Sequence, residues 1–413
     1  MVSAQCVRNC AAFVSILFPF CIEAIDHDGR HALDARTGPR PATTETTGRA
    51  RLLPLDLMRG TAAMLVVIYH ASPYSGLFYI GINATHCVDF FFILSGYALA
   101  YAYGDAITGS GMGLRDLVAI RLARLYPLHL VTFGVTAMLL AAVAAGRWYA
   151  AQRGLVFPIP VAISCTPTDA LETLTLTHTL LGGVICFDKP SWSISVEFWS
   201  SLSLLVLFAP RLPSSVRAGL ILIGAAGFVI CEIHGGFLNP DASLLPKYTY
   251  GFGCFLLGWA LHATSGRWQP LVARIPGAVV VGSGIALVLF VVLSPLDSTG
   301  RTPFVDLFYV VPFCWIIAIS AHRRVTAASR VMALAGDWSY GIYLWHFPLL
   351  FLLSGISKAA GRLLDLGFSG TPVFDGVFYP LLMVTCAASF RYIEIPSKRA
   401  VRHALSRSVA AYG

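Results

Sequence analysis

The sequence predicts an all-α integral membrane protein of about ten transmembrane helices with both termini cytoplasmic. Three observations carry this. The 413 residues are 56% hydrophobic and only 12% charged, and the mean hydropathy of +0.71 lies well above that of soluble domains. Apolar runs of about 17 to 22 residues, each long enough to cross a bilayer, recur from Leu55 to Ile393. Arginine and lysine concentrate in alternate connections. A transmembrane β-barrel, with its short alternating segments, is excluded. The net charge of +8 points to cytoplasmic loops, not to nucleic acid.

Residues 1–54 read as a cytoplasmic lead, largely disordered and rich in Thr, Arg and Pro. Cys10 to Ile25 is a possible short apolar helix; it contains Glu23, lacks a clean cleavage site and makes a poor signal peptide. The transmembrane domain spans 55–395, with segments near 55–72, 85–103, 124–145, 192–209, 216–233, 248–263, 276–294, 304–321, 338–355 and 374–393. With the N-terminus inside, inner connections hold Arg115, Arg121, Arg124, Arg211, Arg217, Arg267, Arg274, Arg323, Arg324 and Arg330, and the short basic tail 396–413 follows the same rule. Little chain follows Glu394, so chemistry is expected within the membrane domain. The ten cysteines form no CxxC pair, and most sit in apolar runs as small core residues. Cys165 and Cys186 share one predicted outer loop, where a disulfide is possible.

The first helix carries the most informative pair. Arg59 and His70 are eleven positions apart; at about 100° per residue they share one face, separated by roughly 16 Å along the axis. Ionisable groups in a membrane are expensive and point to function. Each still has a structural alternative: snorkelling for Arg59, a hydrogen-bonded packing role for His70. Asp89 opens the second helix. Arg121 and Arg124, three apart before Tyr126-Pro127, project from one face and suit a phosphate group, or simply anchor the helix at the cytoplasmic side. Glu197 lies two turns inside the fourth helix and requires a partner, either an arginine or histidine that fixes packing or His70 itself. His346, in the ninth segment, reads as structural, and Arg391 and Glu394 as a pair one turn apart.

These residues together resemble acyltransferase family 3, the multi-pass membrane acyltransferases that modify exopolysaccharide, O-antigen and other glycans. The resemblance covers about residues 52–400. It rests on Arg59 and His70, Val88-Asp89-Phe-Phe-Phe-Ile-Leu-Ser95-Gly96, Arg121-x-x-Arg124 before Tyr126-Pro127, Ser191-Trp192-Ser193 with Glu197, Ser339-Tyr340-Gly-Ile-Tyr-Leu-Trp-His346, and Glu394-Ile-Pro396, in the family's order. The chain departs from the family in its longer N-terminal lead. It also has Glu197 followed by Phe198 where many members carry two carboxylates.

The resemblance implies an O-acyltransferase of the bacterial cytoplasmic (inner) membrane. The donor would be cytoplasmic acyl-CoA, most commonly acetyl-CoA, and the acceptor an extracytoplasmic carbohydrate or lipid-linked glycan. Arg59, Arg121 and Arg124, with Tyr126 beside them, would hold the donor. His70 would act as general base or acyl carrier, with Glu197 or Asp89 holding its tautomer. No metal is required. The residues also admit a transporter of an anionic solute, which has no reason to bind acyl-CoA.

Overall fold

A computed structural model describes residues 51–400 except 110–112, 156–165, 183–186, 188, 209–212, 234–243, 295–303, 322 and 324–328. The predicted helix at 10–25, nearly all of the 1–54 lead, the Cys165–Cys186 disulfide and most of the 396–413 tail therefore lie outside the described residues.

Each of the ten predicted segments falls on a helix. In chain order these are α1 (Leu53–Ala71), α2 (Cys87–Thr108) and α3 (Leu114–Gln152), then, beyond two short helices, α6 (Ser191–Phe208), α7 (Ser214–Ile233) and α8 (Leu244–Ala263). After the eight-residue α9 (Ser265–Val272) come α10 (Gly277–Leu293), α11 (Leu307–Ser320), α12 (Ser329–Leu364) and α13 (Pro372–Ser389). Among the described residues the β contact is an isolated parallel bridge between Ser75 and Thr371. Among the described residues five helices are long and apolar enough to cross a membrane alone, and α9 with α10 would add a sixth as a pair bent by 107°. Helix α1 is not among the five, because Asp56, Arg59 and His70 interrupt its apolar run. Helices α3 and α12 overrun their predicted segments by a turn or more at each end. The chain is an all-helical integral membrane protein.

Small residues set how closely these helices pack, as they do where no hydrophobic effect drives association. Helix α12 packs most extensively against α1. A Cβ at Gly60 would lie 2.7 Å from the Ala335 methyl, and one at Gly336 would lie 2.4 Å from Asp56 Oδ1. Ten residues after Gly60 comes His70, and eleven after Ala335 comes His346; the two imidazoles meet, so the helices run parallel and in step. Gly96 of α2 and Gly258 of α8 close the second tight contact, with built Cβ positions 2.1 Å from Phe255 O and 1.9 Å from Ile93 O. The glycine of the Ser95-Gly96 motif is thus a packing residue.

The loop expected between α3 and α6 is partly helical. It holds α4 (Pro167–Leu174) and α5 (His178–Leu181). Thr166 caps α4 through the Asp169 amide. The segment inserts between α3 and α6: the Leu176 carbonyl accepts from Ser195 Oγ at 2.5 Å and Trp199 Nε1 at 2.7 Å, and the Thr173 carbonyl lies 3.0 Å from His129 Nε2. Leu176 itself has φ 58°, a left-handed conformation that lets the chain reverse there.

Candidate active site

His70 stands at the end of α1, partly exposed, beside the close seam with α12. Its Nδ1 lies 3.0 Å from the Val66 carbonyl. A carbonyl only accepts, so Nδ1 carries the proton and Nε2 presents a lone pair. A backbone carbonyl one turn back does what a carboxylate was expected to do. The His70 ring faces Tyr69 at 4.9 Å and His346 at 5.1 Å between centroids, and the charge of Lys189 also acts on it.

The two carboxylates assigned to His70 are engaged elsewhere. Glu197 Oε1 lies 3.5 Å from Arg121 Nη1 and 3.4 Å from Ser95 Oγ. Asp89 is fully buried and meets His86 Nδ1 at 3.0 Å, with Asp306 3.6 Å from the same nitrogen. The Tyr309 ring stacks on His86 at 3.9 Å. This is a separate polar knot between α2 and α11, and Asp89 has no contact with His70 in it.

The three arginines act on one another electrostatically. Arg121 is buried, and the charges of Arg59 and Arg124 act on it. Arg59 also lies 3.6 Å from Asp56. Arg124 interacts electrostatically with Glu394 and Lys398. Tyr126 does not join them: its hydroxyl donates to the Leu174 carbonyl at 2.7 Å and ties α3 to the inserted segment. Glu394 pairs with Lys398 at 3.4 Å, not with Arg391, whose guanidinium lies over Tyr392. The reason is a π-helical turn at Phe390–Glu394, which rotates the end of α13 and breaks the expected three-residue spacing.

Arg51, assigned to the disordered lead, binds Asp56, the carboxylate that also lies beside Arg59. It donates to Asp56, to Asp337 Oδ1 at 2.9 Å and to the Ala333 carbonyl at 2.8 Å, binding the start of α1 to α12. Burial alone lowers its pKa, but the bonds to Asp337 and Asp56 outweigh it and hold the guanidinium above its ordinary value. Among the described residues no group of three His, Cys, Asp or Glu side chains is placed to hold a metal ion.

The family model described as an acyltransferase domain of acyltransferase family 3 matches residues 53–391, most of the chain. The chain belongs to acyltransferase family 3. It is 25% identical over 325 residues to the acyltransferase MdmB of Streptomyces mycarofaciens, covering 73% of this chain and 79% of that one. It is 23% identical over 388 residues to the peptidoglycan O-acetyltransferase OatA of Listeria monocytogenes, covering 84% of this chain. The putative peptidoglycan O-acetyltransferase YrhL of Bacillus subtilis is 23% identical over 404 residues. The chain spans 55% and 57% of the lengths of these last two relatives. No solved structure matches. The matched region contains the whole Arg59–His70 helix, Arg121, Arg124, Glu197 and His346; Arg51, Glu394 and Lys398 lie just beyond its ends.

His346 was read from sequence as a packing residue, and the structure sets it beside His70. One signal pointed to it: Ser339, Tyr343 and His346 recur at helical spacing and form a polar stripe on an apolar helix. Nothing in the sequence marks the Val66 carbonyl, because a backbone atom carries no residue signature.

Proposed function

We propose that the protein transfers an acyl group, most simply acetyl, from cytoplasmic acyl-CoA to a hydroxyl of an extracytoplasmic carbohydrate. One observation carries the reading. His70 is partly exposed, its Nδ1–H is held by Val66 O, and its Nε2 is left as an acceptor. Arg59 lies on the same helix face about 16 Å away, a distance of the order of a pantetheine arm. The family and the O-acetyltransferase relatives support the reaction class.

In this reading Arg59, Arg121 and Arg124 hold the donor's phosphates at the cytoplasmic mouth through charge-assisted hydrogen bonds. The thioester reaches His70 along α1. Nε2 takes the acceptor's hydroxyl proton as the oxygen attacks the thioester carbonyl. The C–S bond breaks, and the thiolate recovers that proton. The products are the O-acyl ester and free CoA. Glu197 acts by keeping Arg121 in place, and Asp89 by ordering the start of α2. The ten helices form ten passages in the inner membrane with both ends inside, the broken and shorter helices completing theirs in the company of neighbours. The basic inner connections support this orientation.

The test is transfer of radiolabel from acetyl-CoA to extracytoplasmic glycan in membranes of cells producing the wild type or His70→Ala at equal levels. Label with the wild type and none with the variant is expected. Full transfer by His70→Ala would sink the role given to His70.

A further inference from the structure

A catalytic histidine is ordinarily oriented by a carboxylate, which also stabilises the imidazolium once it forms. Neither intramembrane carboxylate near this site takes that place. Glu197 is bonded to Arg121 and Ser95, and Asp89 to His86. The Val66 carbonyl holds the His70 tautomer, and the group facing the ring comes from α12. The His346 ring lies 5.1 Å from that of His70, with the planes tilted by 33°.

His346 is itself unusual. It is fully buried, with neither ring nitrogen in a well-formed hydrogen bond among the described residues. The carbonyls of Ile342 and Tyr343, one turn back, act on its N–H as acceptors, which leaves the second nitrogen's lone pair unshared. A buried polar group left unbonded is costly, and a hydrophobic side chain of similar size would fill the same space without that cost. An imidazole kept there calls for an explanation. The Tyr343 ring lies 5.9 Å away, and Tyr343 in turn accepts from Ser193 of α6 at 2.8 Å.

We propose that His346 is the positioning partner of His70. It sets the plane of the His70 ring and, remaining neutral, turns an unshared nitrogen lone pair toward the imidazolium that forms when His70 takes the acceptor's proton. The inference rests on the role proposed above for His70. The step is the one already balanced: the proton moves from the acceptor hydroxyl to His70 and then to the departing thiolate, and His346 neither gains nor loses one. The second imidazole suits this task because charging both rings so close together is unfavourable, so the one in contact with substrate holds the proton. The other groups that act on His70 are the Val66 carbonyl, which holds Nδ1–H, Tyr69 on its own helix and Lys189 ahead of α6. Val66 O is already engaged with the neutral ring, and neither Tyr69 nor Lys189 provides a further buried acceptor for the cation.

The experiment compares wild type, His346→Phe, His346→Gln and His70→Ala in detergent-permeabilised membranes, following transfer from labelled acetyl-CoA between pH 5 and 9. His346→Phe keeps an aromatic ring and removes both nitrogens. Its expected result is a fall in kcat of about tenfold or more, within the range that proton-transfer groups contribute, with KM for acetyl-CoA nearly unchanged. The acid limb of its kcat/KM profile moves to lower pH, because the His70 cation has lost its stabilising neighbour. His346→Gln, which restores an acceptor, recovers part of both. Wild-type turnover and an unmoved acid limb in His346→Phe would overturn the inference while leaving His70 its role. Equal losses in Phe and Gln with an unmoved limb would reduce His346 to packing. Transfer by His70→Ala would remove both readings together.

Discussion

Gly60 of α1 presses on Ala335 of α12 so closely that a methyl group at Gly60 would lie 2.7 Å from the Ala335 Cβ and 2.8 Å from its carbonyl oxygen. That contact sets the spacing of the two helices that carry His70 and His346. Gly60→Ala should push them apart. Overpacking of this kind costs about 1–3 kcal/mol, so the thermal midpoint in detergent should fall. Transfer activity should fall more steeply than the amount of folded protein, since the displaced helix bears His70, the proposed base. A midpoint unchanged from wild type would refute the close contact.

Arg121 and Glu197 form an ion pair largely removed from water, at 3.5 Å. Removing one partner of a buried pair costs on the order of 3–5 kcal/mol, because the other charge is left uncompensated. Glu197→Ala should therefore destabilise the protein, and Glu197→Gln less so. If CoA phosphates bind Arg121, they supply the missing negative charge. CoA should then raise the thermal midpoint of Glu197→Gln by more than that of the wild type, an outcome read directly by thermal shift.

Arg51 holds the N-terminus of α1 to α12 through Asp56 and Asp337. Its loss frees Asp56, which already lies 3.6 Å from Arg59, to draw that guanidinium away from the mouth. Arg51→Ala should raise KM for acetyl-CoA several-fold, roughly 1 kcal/mol of binding, with a smaller change in kcat. Steady-state kinetics in membranes would decide; a pure kcat effect would count against a role at the donor mouth.

The segment after His70 is fastened to α13 by one carboxylate. Asp375 accepts from Ser75 Oγ at 2.7 Å and from the amides of Gly76 and Leu77 at 2.8 and 3.0 Å. Asp375→Ala removes all three bonds, and hydrogen bonds to a charged group are worth about 1.5–3 kcal/mol each before relaxation. Residues 72–81 should become sensitive to limited proteolysis in solubilised protein, where the wild type resists. Asp375→Asn should lie between the two.

Gly96 and Gly258 interlock α2 with α8. Alanine at either site should lower the yield of folded protein. Gly282 on α10 has open space around it, and Gly282→Ala should be neutral or slightly stabilising from helix propensity. Size-exclusion profiles of the three variants would separate a specific packing contact from a general intolerance of substitution.

By itself the sequence determined the class of protein, the position of the long helices among the described residues and the residues worth testing. Apolar length and periodicity are properties of one segment at a time, so segments predicted from 55–72 to 374–393 each met a helix. Arg59 and His70 were legible together because eleven residues of one helix fix their common face. Only the tertiary structure decided which residues from different helices meet. Glu197 went to Arg121 and Asp306 to His86, while His346 came to His70. The last pairing follows from where a glycine lets two backbones approach, at Gly60 against Ala335. The Leu174 and Leu176 carbonyls, which claimed Tyr126, Ser195 and Trp199, were likewise brought to those side chains by the packing of a distant segment. A one-dimensional pattern shows which side of a helix is polar; the neighbour it finds depends on how closely two backbones can pack, and that distance exists only once the helices are assembled.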